Sequence, residues 1–324
     1  MYFAVVGTFQ MKAQQNIQFT QYIFNSLSVN PAYAGYKEEW FGQLGLRSQW
    51  SGLEGAPKTG QLSIDGAVGI NKNVGLGLQI TDDRLGPQNM TSVYANYAYR
   101  LRLDADDTQR LSFGLAVGIS QYGLDGNQLR PVNEGDNDLP IGKVNSTIPD
   151  VRFGVYYYNP KFYVGLSAMD LFSGKNSNRL FNWNNNTIEN IRRKQHYYLI
   201  AGALFDLSED MKLKPSILFK EDFKGPSSLD INGMLIFGER FWIGASYRTE
   251  ANLWKKRYEQ GQSLSSLNSI SGITQFYIND QFRIGYSYDY IISRLSSFQN
   301  GTHEITLGIT FPGKNNRLLS PRFF

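Results

Sequence analysis

Between residues 110 and 122 the large side chains fall on alternate positions. Leu111, Phe113, Leu115, Val117 and Ile119 are separated only by Ser112, Gly114, Ala116 and Gly118, with Ser120 following. Successive side chains of a strand point to opposite faces, so this spacing predicts a strand with one apolar face and one face of small groups. Helical spacing, three and four apart, fails here. A soluble sheet would set Lys, Glu or Thr on its wet face; a large apolar face backed by a bare one suits a wall between lipid and a lumen.

The chain repeats this pattern from end to end. Leu44 and Leu46 alternate with Gln43, Gly45 and Arg47, and the same apolar face is predicted to run from Trp40 through Ser48 to Trp50. Leu62 and Ile64 follow, then Val74 to Ile80, Val93 to Leu101, the opening segment, and 153–158 with its partner from Phe162 to Ala168. In the second half the pattern recurs at Tyr197–Phe205, Leu213–Phe219, Leu229–Phe237, Phe241–Tyr247, Ile270–Ile278, Phe282–Tyr290 and Ile305–Phe311. The reading is all-β: a transmembrane antiparallel up-and-down barrel of about fourteen strands, an even number as single-chain bacterial barrels require.

The connections follow a second rhythm. Short ones are predicted at 70–73, 102–108, 159–160, 207–210, 238–239 and 279–280. Long ones are predicted between them, at 51–58, 83–88, 123–146, 172–194, 249–265 and 295–301; only 222–225 is short where a long one is due. Outer-membrane barrels pair tight periplasmic turns with long external loops, so both termini are expected in the periplasm. The expected division is a signal-peptide remnant at 1–13, a plug or docking segment at 14–38, the barrel at 39–312 and a periplasmic tail at 313–324. Residues 1–13 have an apolar core and a small-residue end but no basic start, and cleavage after Ala13 would fit.

Composition narrows the function. Aromatics reach 14% and Gly is abundant, which fits short strands with aromatic girdles. The net charge is +4 without a basic tract, which speaks against a nucleic-acid partner. Cysteine is absent, removing disulfides, thiolate chemistry and Cys-based metal sites. The two histidines, His196 and His303, lie at strand starts without partners at ligand spacing, so girdle or lumen roles are expected. Glu134, Asp136, Asn137 and Asp138 could offer oxygen ligands to calcium but lack the rest of a known loop pattern. No Gly-x-Ser-x-Gly elbow occurs. No enzyme activity, catalytic residue, cofactor or metal is predicted. Arg47, Asp65, Asp230, Arg248, Arg283, Asp289 and Glu304 fall on the predicted inner face, as a selectivity ring for solutes or as a lumenal salt-bridge network.

Several short motifs go beyond a generic barrel. Gln18-Phe19-Thr20-Gln21-Tyr22-Ile23-Phe24-Asn25 is followed by Asn30-Pro31-Ala32-Tyr33-Ala34-Gly35. Trp50 follows Arg47-Ser48-Gln49, and Pro57 lies in Gly55-Ala56-Pro57-Lys58-Thr59. Later pieces are His196-Tyr197-Tyr198-Leu199, Gly244-Ala245-Ser246-Tyr247-Arg248, His303-Glu304-Ile305 and the ending Ser320-Pro321-Arg322-Phe323-Phe324. Together they resemble the PorP/SprF family of outer-membrane proteins linked to type IX secretion in Bacteroidetes, across essentially the whole mature chain. Asn30, Pro31, Ala32, Tyr33, Gly35, Trp50 and Pro57 carry the resemblance. It implies an outer-membrane barrel, embedded in outer-membrane lipid, that serves secretion and in some members gliding motility. The implied partners are a secreted cargo protein with a type IX C-terminal domain, such as a type B adhesin, and periplasmic parts of the machinery. The residues themselves leave two functional classes open: a scaffold that docks, helps export or anchors cargo, and a channel for small solutes. A soluble sandwich is the third reading of the strands alone.

Overall fold

In the computed structural model the described residues are 19–129, 142–173, 181–183, 186–188, 194–223, 225–251, 268–292 and 294–311. They build fourteen barrel strands: β1 (Trp40–Ser48), β2 (Lys58–Val68), β3 (Val74–Leu85), β4 (Gln88–Arg102), β5 (Arg110–Asp125), β6 (Lys143–Tyr158), β7 (Phe162–Met169), β8 (His196–Ala203), β9 (Met211–Glu221), β10 (Ser228–Phe237), β11 (Phe241–Glu250), β12 (Ser269–Tyr277), β13 (Phe282–Ile291) and β14 (Thr302–Phe311). Each pairs antiparallel with its sequence neighbours, and β1 pairs with β14, so the sheet closes on itself. Closure leaves no open edge, which is how a sheet satisfies its backbone in lipid. A two-residue strand, Phe205–Asp206, continues β8 beyond a break at Leu204, and a small hairpin pairs Phe181–Trp183 with Asn186–Ile188.

The alternation sorts the two faces as expected. In β5, Phe113, Leu115, Val117 and Ile119 are exposed, while Ser112, Gly114, Ala116 and Ser120 are buried. Exposed Leu44, Leu62, Leu78, Leu166, Ile231, Ile243, Ile284 and Leu307 carry the apolar band around the other strands. No described helix is long and apolar enough to cross a membrane; the crossing elements are strands.

Three sequence expectations need correction. The connection expected at 83–88 is a tight turn at Gly86-Pro87, because β3 and β4 stay paired to Leu85↔Gln88. Cross-strand bonds such as Thr91 Oγ1 to Asp82 Oδ1 (2.8 Å) hold this polar extension, which no longer needs apolar alternation beyond the lipid. The same cause shortens the 123–146 loop: β5 runs to Asp125 and β6 begins at Lys143, leaving 126–142 between them. Trp50 is outside β1, which ends at Ser48; its φ of 48° turns the chain, and its amide donates to Thr302 Oγ1 (3.2 Å). With these changes one rim carries most of the long connections, and the other carries the turns at 69–73, 103–109, 159–161, 204–210, 238–240 and 278–281.

The apolar band yields a direct prediction. Val117→Arg, at mid-strand and half exposed, is expected to cost about 2–4 kcal/mol in folding into lipid vesicles, against about 0–1 for Gln121→Arg nearer the rim. Urea titration of vesicle-folded protein measures both; equal costs would remove the lipid-facing assignment.

Candidate functional site: the filled lumen

Inside the barrel, the stretch from Thr20 to Tyr36 is almost wholly buried and has no sheet pairing of its own. It is folded locally into three 3-10 turns, Gln21–Phe24, Ser26–Ser28 and Pro31–Tyr33. Such a segment can be buried only if its amides and carbonyls find partners. Local sequence supplies some of them. Asn25 Oδ1 accepts from Leu27 N (3.2 Å), and Asn30 Oδ1 accepts from Ala32 N (2.9 Å), the side-chain cap expected of Asn before a turn. Pro31 occupies the first position of its turn, where its missing N–H is no loss.

The wall supplies the rest, and much of it comes from the inward charges. At the long-loop end, Arg47 bridges Asp289 (2.6 Å) and Glu304 (2.7 Å) across the β1–β14 and β13–β14 pairings. Glu304 accepts from Thr20 N (2.8 Å) and Gln21 N (3.0 Å), and the Thr20 hydroxyl donates to Asp289 (2.8 Å). A second cluster joins Arg248 to Asp230 (2.8 Å), with Lys220 at 3.1 Å from the same carboxylate. Asp65 accepts from Gly35 N (2.9 Å), and Arg283 donates to Phe24 O and Gln43 Oε1 (both 3.0 Å). The seven inward charges therefore divide: Arg47, Asp289, Glu304, Asp230 and Arg248 form ion pairs, while Asp65 and Arg283 hold backbone.

The signature residues occupy the far side of the segment. Asn30 Nδ2 donates to Val155 O (3.0 Å) and Leu166 O (3.2 Å), tying the turn to β6 and β7. Ala32 O accepts from Ser112 Oγ (2.7 Å). Tyr33 stacks on Tyr36 with ring centroids 5.0 Å apart; both meet the wall tyrosine Tyr156 edge-on, and Tyr36 also meets Tyr158. Gly35 has φ +75°, and its Cα side lies so close to Gly75 and Gly66 that a side chain would collide with backbone. The bare inner face of β5 is explained in the same way: a Cβ on Gly114 would run into the Ala32 backbone. Trp50 and Pro57 lie apart from this packing, at the long-loop rim, where Pro57 O accepts from Gln49 N (2.9 Å).

Several buried cations escaped the sequence reading. Lys214 is buried and donates to Ile23 O (3.1 Å). At the short-turn rim, buried Arg100 and Arg110 both donate to Lys72 O (2.8 and 2.9 Å), Arg110 pairs with Asp107 (2.6 Å), and Arg100 meets Glu38 (3.4 Å). Strand parity was the available signal, since Arg100 shares it with inward Tyr94 and Ala98, and Lys214 with Ser216 and Leu218.

The histidines behave differently from one another. His196 faces inward and lies 3.1 Å from Asp170, whereas His303 is outward, with Nδ1 at 2.8 Å from Tyr286 OH and its ring beside Tyr288. Among the described residues no cluster of His, Asp or Glu could hold a metal ion. The acidic group at Glu134, Asp136, Asn137 and Asp138 lies outside the described residues, as do Lys314, Arg317 and Arg322 of the tail.

A closed fourteen-stranded barrel with a lipid-facing apolar band and a chain segment packed into its lumen defines a membrane β-barrel like the outer-membrane proteins of Gram-negative bacteria. The sequence matches the family model "Type IX secretion system membrane protein PorP/SprF" over residues 11–309, and the chain belongs to that family. No curated protein matches the sequence. Among solved structures, the CymD monoaromatic hydrocarbon channel is similar at TM-score 0.54 and 13% identity, covering 90% of this chain and 94% of the channel. The Ralstonia pickettii toluene transporter TbuX is similar at TM-score 0.51 and 11% identity, covering 89% and 93%. At such identities the likeness is one of fold.

Three substitutions test the packing and the buried ion cluster. Gly114→Val is expected to push the segment from the wall, at about 1–3 kcal/mol as overpacking does. In this cysteine-free chain, a Cys placed at buried Ser26 should then react with maleimide, and should stay unreactive with Gly114 intact. Glu304→Ala strips a buried arginine of a partner and is expected to cost about 3–5 kcal/mol. Arg84→Ala, in the exposed pair with Asp82, should change stability by no more than about 0.5 kcal/mol. Comparable losses in the two unfolding curves would refute the buried ion cluster as a structural element.

Proposed function

We propose that the protein is a non-enzymatic outer-membrane scaffold of type IX secretion that docks, helps export or anchors a secreted cargo protein at the cell surface. The observation that carries this reading is the occupied lumen: a segment bonded on all sides to the wall suits a rigid platform better than a conduit. Family membership supports the link to secretion. The long connections at one rim, 126–142, 170–195 and 251–268, are where cargo is met in this reading. That rim faces outward and the short turns face the periplasm. Residues 14–38 then serve as the plug, and the basic tail with Lys314, Arg317 and Arg322 meets periplasmic parts of the secretion or gliding machinery. Placement in the outer membrane of a Bacteroidetes cell follows from the same reading.

The second reading is a channel for small solutes. The names of the similar structures, a hydrocarbon channel and a toluene transporter, favour it. The paired inward charges argue against it, because a carboxylate held by arginine is poorly placed to select passing solutes.

Two experiments separate these readings. A detergent pull-down from native outer membranes is expected to recover a large secreted protein with the native barrel. It should be lost when 126–142 and 174–193 are replaced by short Gly-Ser loops; absence from the native pull-down would remove the anchor's main support. In planar bilayers, the intact protein is expected to be closed, and deletion of 14–36 to open steady pores. Steady conductance by the intact protein would favour the channel.

A further inference from the structure

Above the buried segment, toward the long-loop rim, the lumen widens into a cavity of about 100 Å³. Phe19, Tyr22, Ser28 and Val29 of the segment form part of its lining, and the wall contributes Arg152, Lys220, His196, Tyr198 and Met169 among others. Phe19, Val29, Met90, Met169 and Leu218 give this lining apolar surface against which the body of a ligand can pack. Its charged groups reveal what the polar end should be.

Most of those groups already have partners. Lys220 pairs with Asp230 (3.1 Å), His196 with Asp170 (3.1 Å), and Asp222 with Lys194 (3.3 Å). Glu221 accepts from Phe223 N and Ser227 Oγ (both 2.6 Å). Arg152 is different. Its guanidinium lies 3.4 Å from the centroid of the Tyr94 ring, its buried Nε has no hydrogen-bond partner, and among the described residues it forms no ion pair. Tyr94 is itself fixed, its hydroxyl donating to Asp150 (2.9 Å). Opposite Arg152 on β5 stands the small side chain of Ala116. Stacking holds a guanidinium in one plane while leaving its edge N–H groups free, the geometry that grips a carboxylate through two parallel bonds. In the same lining, buried Gln79 Oε1 also lacks a donor.

We infer that this cavity is a binding site for a carboxylate on an apolar body, with Arg152 as the anchoring cation. Two sources share that chemistry: the free C-terminus of a polypeptide ending in an apolar residue, and a small free acid. The inference stands apart from cargo anchoring, since it rests on Arg152 and Tyr94 of the barrel strands.

Isothermal titration of the full chain in detergent micelles tests it with two probes, acetyl-Gly-Gly-Phe and 3-phenylpropanoate, each compared with its own amide. At least one acid is expected to bind saturably, and to weaken by about tenfold or more as the amide and in Arg152→Gln, the loss typical of a charge-assisted pair. Saturation by the peptide alone assigns the site to a polypeptide terminus; saturation by phenylpropanoate alone assigns it to a free acid. Failure of both acids to saturate at millimolar concentration overturns the inference, as does an Arg152→Gln protein that binds like wild type or an amide that binds as well as its acid. Maleimide protection of a Cys at Ser26 verifies that Arg152→Gln keeps the segment seated. Should that variant not fold, Arg152→Lys, which keeps the charge and loses the planar fork, decides by the same acid–amide comparison: unchanged affinity for the acid overturns the inference.

Discussion

Burying irregular backbone is costly unless every amide and carbonyl is met, and the lumen of this barrel is arranged around that requirement. The segment from Thr20 to Tyr36 meets carboxylates where it presents N–H groups, at Glu304 and Asp65, and cations where it presents carbonyls, at Lys214 and Arg283. Those charges would be expensive in isolation. Arginines beside the acids, aromatic faces beside the cations, and the segment's own dipoles offset their desolvation together. Removing the segment would therefore leave a wall of charges matched only in part, which ties the stability of the barrel to an element outside its sheet.

Apolar bulk is the second term. Phe24 packs edge-on against Trp242 at 5.8 Å, and the tyrosines of the segment pack on Tyr156 and Tyr158 from β6, with Tyr163 from β7 stacked behind them. The barrel thus has two apolar surfaces with different solvents, lipid outside and its own chain inside. Glycines such as Gly114 and Gly75 let the segment's backbone at Pro31–Gly35 press against the sheet.

Alternation made the sheet legible because lipid rewards a strict period of two, which assigns each side chain to a face but leaves the register to the structure. The strand ends were harder to read. Where β3–β4 and β5–β6 extend past the lipid, both faces are polar and the period disappears, although the hydrogen-bond ladder continues. The inward charges near mid-strand were legible by parity. Arg100, Arg110 and Lys214 were missed, the first two because they flank an Asp-rich turn and look like solvated turn residues. Asn30, Pro31 and Gly35 stood out by resemblance, yet their physical reasons, a side-chain cap, a turn start and a left-handed residue against bare backbone, became visible only in three dimensions. The tyrosine wall was legible by parity alone, since tyrosines face both lumen and lipid in this chain.

The β1–β14 pairing places Arg47 directly opposite Glu304. These are the first and last strands of the sheet, so this ladder joins the two ends of the ribbon. The residues that complete it also clasp Thr20 and Gln21, which precede β1 in the chain. The seam thus reaches its full set of bonds only with the segment already lying across it. Closure and enclosure are therefore coupled: a ribbon joined without the segment across it would leave an arginine and two carboxylates lacking the peptide groups that complete their bonding.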